Sequence, residues 1–338
     1  MDKDSIFKKN MEDSYGRIAK KLRISVTDRC NMQCVYCMPY NNTNWLEQNT
    51  LLSYEQIVHL VNIFAKFGIE KIKITGGEPT VRPKIEELVK SLSNIDGIKS
   101  ISMTTNGLLL KDKVKKLKDS GLNSITISLD TFNQKRFKAI TGIEGGLTKV
   151  LDSIDAAKTA GLQVKINVVI MRGWNEDEIV HFAQFSRETN TIVKFIEFMP
   201  LDGTGIWTNN LVFSKREMIQ LINTKVKKLV PLFNDNSDPA RLYSFEDGIG
   251  IVGFIPSITE PFCQYCDRIR ITSDGKFYTC LFEKKIYDLK VLLQEGKSDA
   301  EIGEYILENI KKKPEGIISL TRLNLLKPTL NQMHTIGG

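Results

Sequence analysis

The 338-residue chain carries its six cysteines as two triplets, Cys30, Cys34 and Cys37 near one end and Cys263, Cys266 and Cys280 near the other. Three thiols at each end pair poorly as local disulfides, and metal binding is the chemistry that such spacing serves. The first triplet lies in Arg29-Cys30-Asn31-Met32-Gln33-Cys34-Val35-Tyr36-Cys37, just after the strand-like run 22–26 and without a helix signal. It therefore belongs to a loop at the carboxyl end of a strand, where α/β proteins place their reactive groups. Three thiolates can hold three irons of a [4Fe–4S] cluster and leave the fourth open, whereas a purely electron-carrying cluster takes four cysteines. A structural zinc ion wants a closed set of four ligands, and no histidine or fourth cysteine stands nearby in the sequence. The second triplet, C-x2-C-x13-C, is also one ligand short, with His334 the only histidine in that half of the chain. A zinc ribbon missing a ligand and a second cluster with its own open iron fit it equally.

A second constellation is cationic. In Lys71-Ile72-Lys73-Ile74-Thr75 the period of two puts Lys71, Lys73 and Thr75 on one face and the isoleucines on the other. Strands of a parallel barrel are covered outside by helices, so the isoleucines suit the helix side and the lysines the lumen. Arg23, Lys165 with Asn167, and Lys194 hold comparable strand positions, and Arg268 and Arg270 share a face beside the second triplet. Unpaired cations gathered in one barrel repel each other and are costly to bury, so the set points to an anionic ligand.

The elements that must position these groups are repeated βα units. Short β-branched runs at 22–26, 71–75, 98–104, 124–129, 163–170 and 192–198 alternate with amphipathic stretches. The clearest helix spans 54–66, with Ser53 as N-cap and Gln56 three residues on. Phe67-Gly68-Ile69, Ser120-Gly121-Leu122 and Ala160-Gly161-Leu162 repeat one helix-stop signal before the next strand. Six such strands make a partial barrel of parallel strands or an open doubly wound sheet. After Pro200 the pattern changes, and Asp202-Gly203-Thr204-Gly205 reads as a linker, with a boundary near residue 205.

With 41% hydrophobic and 26% charged residues the composition is that of a soluble globular protein. The first residues lack an apolar signal-peptide core, and no run approaches the roughly 18–20 apolar residues of a membrane span. A cytoplasmic protein without membrane contact is expected. The net charge of +7 suits an anionic partner. A basic zinc module on nucleic acid would need a concentrated arginine or aromatic patch, which the sequence lacks.

The C-x3-C-x2-C spacing with Tyr36 before the last cysteine, followed one βα unit later by Gly76-Gly77-Glu78-Pro79, resembles the radical S-adenosylmethionine (SAM) superfamily. Leu22-Arg23-Ile24-Ser25-Val26-Thr27-Asp28-Arg29-Cys30-Asn31, Lys73-Ile74-Thr75-Gly76-Gly77-Glu78-Pro79, Phe195-Ile196-Glu197-Phe198-Met199-Pro200 and the terminal Gly337-Gly338 resemble, in order, the GTP 3′,8-cyclase family, which opens molybdenum-cofactor biosynthesis.

That resemblance implies an α/β fold, a partial (β/α)6 TIM-like barrel over residues 1–205. A C-terminal α+β segment, 206–338, would carry the second iron–sulfur cluster and the Gly-Gly tail. It implies two [4Fe–4S] clusters, on Cys30, Cys34 and Cys37 and on Cys263, Cys266 and Cys280, and SAM as cofactor. A 5′-deoxyadenosyl radical would take the C3′ hydrogen of GTP, and C3′ would then attack C8. Tyr36, Gly77, Ser128 and Met199 would contact SAM, and Glu78 is a candidate holder of its cationic amino group. Arg23, Lys71, Lys73, Thr104, Lys165, Lys194, Arg268, Ile269 and Arg270 would form the GTP site, with catalytic roles for Arg268, Arg270, Gly337 and Gly338. Arginine is usual in the family where this chain has Lys73 and Lys194. A homodimer, an electron donor and a downstream enzyme forming the cyclic pyranopterin complete the implied partners. The rival within the superfamily is an enzyme with an auxiliary cluster acting on a peptide or RNA.

Overall fold

The computed structural model describes residues 6–7, 9–38, 45–201, 205–233, 235–322 and 333–337. Residues 202–204 of the expected linker lie outside the described residues, as does Gly338. Six parallel strands form the frame: β1 Lys21–Ser25, β2 Lys71–Thr75, β3 Ser100–Thr105, β4 Ser124–Ser128, β5 Gln163–Ile170 and β6 Ile192–Glu197. Helices connect them, as crossovers between parallel neighbours require.

The helix Tyr54–Lys66 shows how local sequence builds one unit. Ser53 accepts the N–H of Gln56 while the Gln56 side chain accepts the N–H of Ser53, and Glu55 and Lys66 sit at the ends that suit their charges. Ile57, Leu60, Val61, Ile63 and Phe64 form its buried stripe. Gly68, at φ +89°, turns the chain out of the helix in a conformation that a side chain resists.

Six further strands follow: β7 Leu229–Pro231, β8 Arg241–Phe245, β9 Ile251–Ile255, β10 Arg268–Ile271, β11 Lys276–Tyr278 and β12 Tyr287–Asp288. The sheet order is β12-β11-β10-β1-β2-β3-β4-β5-β6-β9-β8-β7. Thus β10 joins β1 and β9 joins β6, both parallel, and antiparallel strands cover the two ends. The chain after residue 205 is spliced onto both flanks of the six-stranded frame.

The frame is a partial barrel. In a flat sheet β2 and β6 would stand four strand spacings apart, roughly 19 Å, and the charge of Lys194 on β6 still acts on Lys73 on β2. Leu22, Ile24, Ile72, Ile74, Ile101 and Met103 are buried toward the helices. The register aligns Arg23 with Lys73 and Arg270, Thr104 with Thr126, and Asn167 with Lys194 on the opposite, concave face. A smaller apolar cluster of Met171, Phe198, Trp207 and Val212 packs near Tyr36, and Trp207 Nε1 donates to Phe198 O at 2.9 Å.

Candidate functional site

One cavity opens at the carboxyl ends of the strands. Cys30, Cys34, Cys37, Tyr36, Gly76, Gly77, Thr104, Ser128, Met199, Arg23, Arg268 and Arg270 all line it. The expected SAM set thus shares one chamber with Arg23, Thr104, Arg268 and Arg270 of the expected GTP set, whereas Lys73, Lys165 and Lys194 are not part of its lining.

The loop of the first triplet is stitched to the turn after β2. Val26 N–H donates to Thr75 O at 2.9 Å, Gly77 N–H to Thr27 O at 2.7 Å and Glu78 N–H to Arg29 O at 2.8 Å. A Cβ on Gly77 would lie 2.4 Å from Arg29 O and 2.5 Å from Asp28 O, so the glycine is required for the passage of the cysteine loop. Glu78 has a different task from the amino-group holder expected of it. It is buried outside the cavity lining and accepts from Thr80 N, Thr80 Oγ1, Thr105 Oγ1 and Asn106 N. Its carboxylate ties the β2 turn to the end of β3.

Burial pushes the thiols of Cys30 and Cys37 up to about 11 and about 12, and raises Cys34 as well. Free, these groups are neutral; a metal centre deprotonates its thiol ligands by its own charge. Among the described residues, no three His, Cys, Asp or Glu groups close into a single-ion cage. Three free thiols on one loop, one short of a closed set of four, are the donor chemistry of an iron–sulfur cluster with one free iron.

Tyr36, Ser128 and Met199 reach the chamber from the first loop, β4 and the end of β6. Tyr36 OH donates to Asp130 Oδ2 at 2.5 Å, and Val169 N–H donates to Asp130 Oδ1 at 2.8 Å. Burial lifts the Asp130 carboxyl to about 6. Asp130 also lines the cavity, as do Asn106 and His334, three residues not expected there, and Asn167, which was expected on the lumen face. For Asp130 the signal was present: it follows Ser128 by two residues, the spacing that keeps one face at a strand end.

The cations occupy the concave face. Lys73 Nζ is 3.5 Å from both Thr104 Oγ1 and Thr126 Oγ1. Burial, then Arg23, Lys194 and Lys165, hold Lys73 far below the lysine range. Burial with Lys165 pushes Lys194 down to about 8, and burial with Arg268 pushes Arg270 down to about 10. Among the described residues no carboxylate stands within 4.0 Å of the cationic atoms of Arg23, Lys73, Lys165, Lys194, Arg268 or Arg270. Asp238, whose field reaches Lys165 and Lys194, is itself bound to Lys21 at 2.9 Å. Two expected positions lie apart. Lys71 is exposed at the amino end of β2, and the Ile269 side chain is packed in the core, so only its main chain can meet a ligand.

At the second triplet, Arg268 stacks its guanidinium 4.4 Å from the centre of the Phe262 ring and points Nη2 at Cys266 Sγ, 3.7 Å away. Burial alone would raise the Cys266 thiol, but Arg268 and Lys313 outweigh it and bring it to about 6. Cys263 and Cys266 act on Cys280 electrostatically, raising its thiol together with burial. The C-terminal tail enters between the two triplets. His334 Nδ1 lies 3.4 Å from Cys37 O, and Arg270 Nη1 donates to Gly337 O. Gly337 sits at φ +80°, where an added Cβ would meet Thr75 Oγ1 at 2.3 Å.

Comparison with known proteins gives a consistent picture. Residues 24–186 match the Radical SAM superfamily, and residues 191–318 match Molybdenum Cofactor Synthesis C. The GTP 3′,8-cyclase of Thermodesulfovibrio yellowstonii is 44% identical over 330 residues, covering 97% of this chain and all of that protein. The mitochondrial GTP 3′,8-cyclase of Arabidopsis thaliana is 37% identical over 337 residues, covering 99% of this chain and 85% of that one. Among solved structures, Streptococcus suis SuiB aligns with a TM-score of 0.62 at 14% identity, over 88% of this chain and 69% of SuiB. Methylornithine synthase (PylB) aligns at 0.52 and 16% identity, over 90% of this chain and 91% of PylB, and both likenesses speak to the fold alone.

Proposed function

The chain belongs to the GTP 3′,8-cyclase family of the radical SAM superfamily, and from that membership we propose how its chamber carries out the reaction. It is a radical SAM enzyme that cyclises GTP to the 3′,8-cyclo-7,8-dihydro product in molybdenum-cofactor biosynthesis. Cys30, Cys34 and Cys37 hold a [4Fe–4S] cluster, and Cys263, Cys266 and Cys280 hold a second. With SAM bound, the first cluster supplies hydrogen-atom abstraction, chemistry that no side chain provides.

The protein's own residues bind, orient and exclude water. Tyr36, Gly77, Ser128 and Met199 form the SAM side of the chamber, and the Tyr36–Asp130 hydrogen bond fixes Tyr36 against β4. Arg23, Lys73, Thr104, Lys165, Lys194, Arg268 and Arg270 receive the triphosphate and position the ribose. The observation that carries this reading is the set of concave-face cations with no carboxylate partner among the described residues, of which Arg23, Arg268 and Arg270 share their chamber with the first triplet. A triphosphate neutralises that field; a neutral substrate would leave it unbalanced. We divide the chain at residue 205, the first part carrying the residues that would hold the SAM-binding cluster and the second those that would hold the other cluster. No helix among the described residues is long and apolar enough to cross a membrane. Cytoplasmic action, as a homodimer, with an external electron donor and a downstream pyranopterin-forming enzyme, completes the proposal.

The test is 5′-deoxyadenosine release from SAM by the anaerobically reconstituted protein, with and without GTP. Release that depends on GTP, with transfer of the C3′ hydrogen into the deoxyadenosine, is expected. Equal release in its absence would remove GTP as the substrate.

Binding should also depend on pH. Lys194 titrates near 8 when free, so it is charged below that value and neutral above it. A bound triphosphate favours the charged form, and binding must then take up a proton once the pH exceeds about 8. GTP affinity, followed by calorimetry, is expected to fall as pH rises through that region. A flat profile would exclude Lys194 from the triphosphate site.

A further inference from the structure

Outside the chamber, an N-terminal turn buries an arginine that the reaction does not use. Asp13 Oδ1 accepts the N–H groups of Tyr15 at 2.8 Å and Arg17 at 3.1 Å, and Gly16 adopts φ +76° to close the turn. Asp13 Oδ2 also accepts from Arg17 Nε at 2.6 Å, with both side chains at or below 5% exposure. The guanidinium then spends its outer nitrogens on carbonyls far away in sequence. Nη1 donates to Cys263 O at 2.9 Å, and Nη2 donates to Pro314 O at 2.7 Å and to Lys313 O at 3.5 Å.

The segment gripped in this way lies against the second triplet. Lys313 Nζ donates to Cys266 O at 2.8 Å and Arg268 O at 3.0 Å. Gly316, at φ +97°, passes so close that an added Cβ would stand 2.7 Å from Cys263 Sγ. Directly after it, the backbone N–H groups of Ile317 and Ile318 favour the Cys263 thiolate, against the burial that raises the thiol. Hydrogen bonds to cluster sulfurs are a main determinant of reduction potential, and partners one shell out govern metal retention. Only a rigid fork with diverging donors reaches Asp13, Cys263 and residues 313–314 together.

We propose that Arg17 is a positioning residue for the second triplet, clamping residues 313–318 onto Cys263 and so setting the retention and potential of the cluster there. The proposal rests on the reading that Cys263, Cys266 and Cys280 hold an iron–sulfur cluster. Its test uses the full chain with Cys30→Ala, Cys34→Ala and Cys37→Ala, which leaves the second triplet alone. After anaerobic reconstitution, iron content, resistance to an iron chelator, the EPR spectrum of the reduced protein and its midpoint potential are compared for native Arg17 and Arg17→Lys.

Arg17→Lys is expected to hold iron about 10- to 100-fold more weakly, with a shifted spectrum and potential. Asp13→Asn is expected to move the same readouts in the same direction. If the chain with native Arg17 takes up no iron here, the cluster reading itself fails. If it does, and Arg17→Lys leaves retention, spectrum and potential unchanged, the positioning role is overturned while the cluster reading stands. The reciprocal chain, with Cys263→Ala, Cys266→Ala and Cys280→Ala, guards against a folding defect. There Arg17→Lys should leave the first cluster's iron and spectrum intact, and equal loss at both triplets would overturn the proposal.

Discussion

Gly337→Ala is expected to reduce turnover by about 10²-fold or more while leaving the iron of both clusters in place. Gly337 sits at φ +80°, a conformation costly for any residue with a Cβ, and that Cβ would fall 2.3 Å from Thr75 Oγ1. Thr75 is buried at the end of β2 and donates to Ile24 O at 3.2 Å, so it has little room to yield. The tail must shift, and the hydrogen bond from Arg270 to Gly337 O shifts with it. A displacement of about 1 Å in a reacting constellation costs on the order of 10²-fold. Removing residues 337 and 338 together should abolish activity in the same way, although Gly338 lies outside the described residues. Deoxyadenosine and product assays, alongside iron analysis, check both variants. Full activity in either would show that the tail is a bystander.

Lys73→Met is expected to separate binding from stability. Lys73 Nζ rests between two threonine hydroxyls at 3.5 Å, with no carboxylate at hand and repelled by Arg23, Lys194 and Lys165. In the free protein this charge is a burden, and methionine fills similar space without it. The variant should melt at a higher temperature than the parent. In the complex the same charge faces a triphosphate away from bulk water, where loss of one partner costs about 3 kcal/mol or more. That corresponds to an increase in the Kd for GTP on the order of a hundredfold. Thermal melts of the free protein and calorimetry with GTP provide the two readings. A variant that loses stability but keeps its affinity would assign Lys73 to the scaffold. Arg would add the planar fork that lysine lacks, so Lys73→Arg should keep binding largely intact.

Much of the site was legible before any coordinate. The period of two in residues 71–75 put Lys73 and Ile74 on opposite faces, and the structure has Ile74 buried among helices and Lys73 on the concave side. Ser53 with Gln56 marked a helix start, and the capping box is present. The strand ends and glycine stops marked out six βα units, because these signals act over a few residues. The cysteine spacing pointed to an open-iron site for a similar reason: loop length limits which thiols can meet.

What remained illegible depends on approaches between distant segments. Nothing local in Arg268-Ile269-Arg270 says that this strand pairs with β1 and brings Arg270 level with Arg23. The same holds for Glu78, whose carboxylate is consumed by Thr105 and Asn106 of the next strand end, and for Arg17, whose carbonyl partners lie 246 to 297 residues away. Gly77 shows the boundary well: its sequence context suggested a ligand, while its necessity comes from the backbone of the cysteine loop crossing 2.4 Å from where a Cβ would stand. By itself the sequence determined which side chains share a face of each strand and which thiols are spaced to share a metal centre, since both follow from short-range periodicity and spacing. Only the tertiary structure decided which strands flank the opening, where the tail enters and which buried charges are already paired. Those outcomes depend on register and packing between segments that no local pattern relates.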